Sequence, residues 1–171
     1  MRRFLRMIRT LLLTTACCTA LFAAAGCKVA PKATAGLPGI EARDPWSLAQ
    51  LVTPAALAAE LKAKPAAEPM LLHVGFHVLY QAGAIPHSLY VGPGSTAEGI
   101  AALQAAVKDT PKDHDIVIYC GCCPWDHCPN MRPAFASLKQ MGFTNVRALA
   151  VTKNMDSDWA DKGYPIAKPE R

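Results

Sequence analysis

Between Thr53 and Lys162 the apolar residues alternate between two spacings, and each change of spacing marks a new element. Thr53-Pro54 supplies an N-cap and a first-turn proline, and Leu57 and Leu61 recur four apart, which predicts a helix. Met70 to Val74 is a short unbroken apolar run with the length of a buried strand, and Ser88 to Val91 is a second, ended by Gly92-Pro93-Gly94. Thr96 to Val107 returns to helical spacing, with Ile100, Leu103 and Val107 on one face. Asp115 to Tyr119 (D-I-V-I-Y), rich in β-branched residues, is the clearest strand and runs into Cys120. Pro129 or Asn130 then starts a helix reaching about Met141, with Gly142 closing it. Asn145 to Val151 reads as a last strand and Asp156 to Lys162 as a short helix. Helix and strand in alternation predict one α/β domain, its central sheet mostly parallel and flanked by helices.

The pattern upstream is different. Residues 1–27 have a basic start (Arg2, Arg3, Arg6, Arg9), a fifteen-residue apolar stretch from Leu11 to Ala25, and the small-residue sequence A-A-G-C ending at Cys27. That is the layout of an export signal. The stretch is shorter than the ~20 residues a spanning helix needs. A-A-G-C resembles a bacterial lipobox with Cys27 as the lipidated residue; Ala24 replaces its usual leucine, so ordinary cleavage after an alanine is the alternative. The expected location is therefore outside the cytoplasm, in the periplasm or cell envelope, on the membrane through a lipid anchor. Residues 28–47, with three prolines and two glycines between Lys28 and Pro45, read as a flexible linker, and 48–171 as the folded domain.

Of the 171 residues 51% are hydrophobic and 18% charged, which suits a packed core. The formal charge of +5 suggests nucleic acid only until it is mapped. Four of the basic residues lie in the leader, which has no acid, so the remainder carries 14 basic and 13 acidic side chains. A near-neutral body gives no basic face, and no nucleic-acid partner is expected.

Four of the seven cysteines fall within nine positions, in C-G-C-C-P-W-D-H-C from Cys120 to Cys128. The end of a buried strand, just before a helix, is where α/β folds keep their sites, and a helix N-terminus favours a thiolate. Such a thiolate serves as nucleophile, redox partner or metal ligand. A structural disulfide is the bland alternative in an oxidising compartment, though it would close only a very small loop. By position alone Cys128 is nearer the helix start than Cys120.

Four segments together resemble a single-domain rhodanese over roughly Leu48 to Lys168: D-I-V-I-Y-C ending at Cys120, M-G-F-T-N-V-R-A-L from Met141, W-A-D-K-G-Y-P-I from Trp159, and Q-A-G-A-I-P-H-S from Gln81. The resemblance implies a rhodanese-like α/β domain and a sulfurtransferase. Cys120 would accept sulfane sulfur as a persulfide, held by backbone N–H groups, and pass it on. The implied partners are a small sulfur-containing donor and a thiol acceptor, with no cofactor required. Where the family has an Asp-x-Arg pair this chain has His73-Val74-Gly75, Ala84 replaces the histidine of G-H-I-P, and the cysteine loop is about five residues longer. Pro124 and Pro129 have no N–H to give an anion, Asp126 adds negative charge and Arg132 is the nearest cation. A neutral or organic persulfide therefore fits better than thiosulfate.

The longer loop opens two further readings. Cys122, Cys123 and Cys128 are candidate resolving or assisting thiols for Cys120, which would make the protein a thiol-redox device. Alternatively Cys120, Cys122, Cys123, His127 and Cys128 form a soft-metal set for Cu or Zn, although C-x-C and C-x4-C are not zinc-knuckle spacings. His73 is expected in the core or on the surface, His77 and His87 in exposed loops, and Trp125, Trp159 and Tyr164 in structural roles.

Overall fold

A computed structural model describes residues 44–63, 66 and 68–169. The leader, Cys27 and the linker as far as residue 43 lie outside the described residues.

Thr53 caps the first helix as its sequence requires, its side chain accepting the Ala56 N–H at 3.2 Å, and α1 runs Pro54–Lys62 after a two-residue strand β1, Leu51–Val52. Next come β2, Met70–His73, the short helix α2, His77–Ala82, and β3, Leu89–Tyr90. Thr96 likewise caps α3, Ala97–Ala106, by accepting the Gly99 N–H. Strand β4, Ile116–Tyr119, is followed by a 3₁₀ turn, Trp125–His127, and by α4, Met131–Gln140. Strand β5, Val146–Leu149, and α5, Met155–Asp158, complete the domain, with a last 3₁₀ turn at Ala160–Lys162.

The sheet order is β1-β5-β4-β2-β3, and every pairing is parallel. This is the expected α/β architecture. Central β4 is buried at all four positions, as a parallel strand covered on both faces must be. Its period of two sorts the core. Ile116 and Ile118 join Leu103, Phe135 and Leu138 on the α3/α4 side, while Val117 and Tyr119 join Leu57 and Trp159 on the α1/α5 side. One step on, Cys120 falls on the Ile116–Ile118 side, at the carboxyl end of the central strand.

Three differences from the sequence reading matter. The packed body reaches back beyond Leu48: Trp46 is 3% exposed and sits 5.6 Å from Trp125 and 5.4 Å from Phe135, while Asp44 pairs with Arg132 at 2.6 Å. His77 is exposed, but it starts a helix rather than lying in a loop. The expected helix from Asp156 splits around Trp159, which is fully buried and whose indole N–H donates to the Pro165 carbonyl at 2.8 Å. Among the described residues no helix is long and apolar enough to cross a membrane.

Candidate active site

The chain leaves β4 through Cys120 and turns at once at Gly121, whose φ of +80° suits glycine. A Cβ there would also collide with Met155 Cγ. This turn folds the loop back over the strand end, so that Cys122 Sγ lies 3.2 Å from Cys120 Sγ. The loop is then held down by Trp125, 1% exposed, whose backbone N–H donates to the Val151 carbonyl at 2.8 Å. The next turn returns Cys128, fully buried, so that its sulfur lies 3.9 Å from that of Cys122. Cys120, Cys122 and Cys128 thus bring their sulfurs within 4.8 Å of one another. All four cysteines are free thiols, and no disulfide links them.

Cys123 is 3.1 Å from Cys122 but does not lie within 4.8 Å of all three. His127 does not join the sulfurs: its side chain is 73% exposed, with Nδ1 3.0 Å from Asp126 Oδ1. Arg132, the nearest cation in sequence, is occupied by Asp44 and by the Asp126 carbonyl. Cys27 lies outside the described residues.

Two residues complete the site that the sequence did not single out for it. Asn130 stands at the N-cap position of α4, yet its side chain does not cap the helix. It is fully buried, accepts the Ser95 N–H at 3.1 Å and donates through Nδ2 to Cys120 Sγ at 3.4 Å. Gly75 passes directly beneath the sulfur, and a Cβ on it would sit 2.8 Å from Cys120 Sγ and 2.9 Å from His73 Cε1. Gly75→Ala is therefore expected to destabilise the fold by about 1–3 kcal/mol through overpacking. Urea unfolding would reveal it as a lower midpoint with an unchanged slope.

These surroundings set the state of the thiols. Cys120 is drawn down to about 6, chiefly by hydrogen bonding from the Cys128 thiol. Burial opposes this, while the Cys122 N–H, Asn130 and the Cys122 thiol assist it. Cys128 is pushed up, first by that bond to Cys120 and then by burial, and Cys122 is pushed up mainly by burial. One thiolate thus sits among partners that hold their protons. Around the Cys120 thiolate the backbone contributes the Cys122 N–H, and side-chain donors do most of the work.

A cleft of about 120 Å³ reaches Cys120 from the side of Gly121, Met155 and Asp156, with His73 forming part of its wall. His73 is 1% exposed and packed among Tyr80, Tyr90 and Tyr119 at ring separations of 5.0 to 5.9 Å. Its Nδ1 accepts the Gly75 N–H, and burial holds the imidazole down to about 4, so it is neutral at neutral pH. It is a core histidine, as expected, and it also borders the site.

No family model and no curated protein sequence matches the chain. Solved structures with the same fold do. The BH2092 protein from Bacillus halodurans is 20% identical, with a TM-score of 0.51 over 68% of this chain and 74% of that one. A crystal structure of the Alr3790 protein from Anabaena sp. gives 19% identity and a TM-score of 0.53 over 69% and 82%. The solution structure described as the rhodanese-like domain of that Anabaena protein gives 20% and 0.50 over 70% and 80%.

Proposed function

The chain folds as a rhodanese-like domain, and from that premise we propose that it is a sulfane-sulfur carrier of the sulfurtransferase type, with Cys120 as the sulfur-bearing nucleophile. One observation carries the reading: Cys120, lowered towards a thiolate, stands at the end of the central strand and borders a cleft. The thiolate attacks the outer sulfur of a persulfide R–S–SH. A new S–S bond forms, the old one breaks, and the electron pair leaves with R–S⁻. An acceptor thiolate then attacks the terminal sulfur, takes it as R′–S–SH, and returns Cys120 as thiolate. The sulfur stays at the same oxidation level and no cofactor enters.

The cleft favours an uncharged donor. Its lining has one charged group, Asp156, and its histidine is neutral, so nothing there offsets the charge of thiosulfate. An organic persulfide fits such a wall, and with room for a few water-sized groups the donor's body stays outside. The same proposal places the domain outside the cytoplasm on a lipid at Cys27, and this rests on the leader sequence alone.

The test is mass spectrometry of the full chain, reduced and then given an organic persulfide. A gain of one sulfur atom, localised to Cys120 by fragmentation of the peptide that carries all four loop cysteines, is expected. No gain, or a gain mapped to Cys122, Cys123 or Cys128, would overturn the assignment.

A further inference from the structure

The carrier chemistry uses one sulfur, yet the loop is built to bring together three. Cys122 and Cys128 are not sequence neighbours of each other, and their convergence on Cys120 needs the glycine turn at 121 and the Trp125 anchor. From this geometry we propose that Cys120, Cys122 and Cys128 form a three-coordinate site for a soft monovalent ion, Cu(I), which binds in place of sulfane sulfur.

Ligand type comes first. Three sulfurs with no carboxylate or imidazole among them select a soft ion over a hard one. The shape agrees. A trigonal shell with metal–sulfur bonds of about 2.3 Å places its sulfurs about 4 Å apart. The sulfurs here are 3.2 and 3.9 Å apart for the pairs Cys120–Cys122 and Cys122–Cys128, and the third pair is within 4.8 Å. Shifts of under an ångström close the triangle around an ion.

Coordination number then separates copper from zinc. Zinc sites complete a tetrahedron with a fourth protein ligand or a water. Among the described residues no fourth Cys, His, Asp or Glu joins the group, and His127 faces away from it. A water entering by the cleft at Cys120 would be the fourth ligand that a zinc shell needs, and the light-atom count in the experiment below reads it. Cu(I) is content with three thiolates. Asn130 supplies an outer contact by donating to Cys120 Sγ, as supporting residues do for metal-bound sulfur. Copper enters and stays as Cu(I), each thiol that ligates it gives its proton to solvent, and nothing is oxidised.

The site differs from the carrier reading in what it requires. A persulfide is a bond to Cys120 alone, with Cys122 and Cys128 tuning its thiolate, whereas the ion is bonded to all three sulfurs. Cys122→Ser therefore removes a ligand to the ion while leaving the sulfur-bearing atom in place, and Cys122 is only half-buried, so the change does not open the core.

The experiment uses the full chain, reduced and kept anaerobic, titrated with Cu(I) against a chromophoric Cu(I) chelator. Wild-type chain is expected to hold one ion against the chelator, and X-ray absorption of that ion to show three sulfurs at about 2.3 Å. Cys122→Ser is expected to lose at least about 100-fold in affinity, while Cys123→Ser and His127→Ala stay within about threefold. Copper-loaded wild type is expected to take up no sulfur from an organic persulfide. Copper held equally well by Cys122→Ser would place the ion elsewhere, for instance on the leader cysteines, and overturn the proposal. A two-sulfur shell, a fourth light-atom ligand, or an equal loss in Cys123→Ser would overturn it as well.

Discussion

Cys120→Ser is expected to abolish sulfur uptake and, in metal-free protein, to remove the most reactive thiol of the loop. A serine of nearly the same size keeps the packing at a position 3% exposed, so the loss reports chemistry rather than unfolding. The wild-type pH profile gives the same residue a signature. Cys120 lies at about 6, below the ordinary thiol value of about 8.5, because Cys128, the Cys122 N–H and Asn130 favour its thiolate. Its alkylation rate should climb from about pH 5 to 7 and then level off. At pH 6.5 it is about three-quarters thiolate, against about 1% for a thiol of pKa 8.5. A low-pKa thiolate is a weaker nucleophile, which takes back roughly tenfold, so the net advantage is about five- to tenfold. His73 lies at about 4 and cannot produce that rise. Iodoacetamide rates mapped by peptide mass spectrometry test this. A Cys120 rate still rising from pH 8 to 9 would mean that the loop does not hold a thiolate.

The parts of this site that follow from local sequence were legible in it, and those that depend on distant chain were not. Cys120 could be placed because a run of β-branched residues ends on it and parallel strands deliver their carboxyl ends to sites. Strand positions were legible for the same reason, since β4 is apolar at every residue. His127 read as a ligand because only its spacing was visible. Which side of the loop it faces is set by Trp125, which turns inward against Trp46, some eighty residues earlier. Arg132 reads as the nearest cation, and its pairing with Asp44 depends on chain nearly ninety residues away. Trp46 and Asp44 sit between prolines and polar residues with no apolar period, so the stretch looked like linker. Gly75 is informative only once Cys120 is known to lie 2.8 Å from where its Cβ would be. Asn130 carried an available signal, a polar residue at a helix start, but that signal pointed to capping, and the structure spends the side chain on the sulfur.

That dependence makes Trp125 the residue whose loss should propagate furthest. It is 1% exposed, packs on Trp46, and joins the core cluster that contains Phe135 and Cys120. Trp125→Ala should cost about 3–5 kcal/mol, the range for emptying a buried aromatic site. With a urea slope of about 2 kcal/mol per molar, the unfolding midpoint should fall by roughly 2 M. The consequence for the site is separate. Cys122 and Cys128 are brought to Cys120 by the same loop that Trp125 anchors, so where the variant remains folded its Cys120 alkylation profile should move up in pH, towards an ordinary thiol. Trp125→Phe sharpens the test. The indole N–H is buried with no hydrogen-bond partner among the described residues, so phenylalanine gives up no bond while keeping an aromatic ring against Trp46. It should cost about 1–3 kcal/mol, less than Trp125→Ala because the residual cavity is smaller, and leave the Cys120 profile in place. A folded Trp125→Ala chain with an unshifted Cys120 profile would show that the loop anchor is not what sets the thiolate.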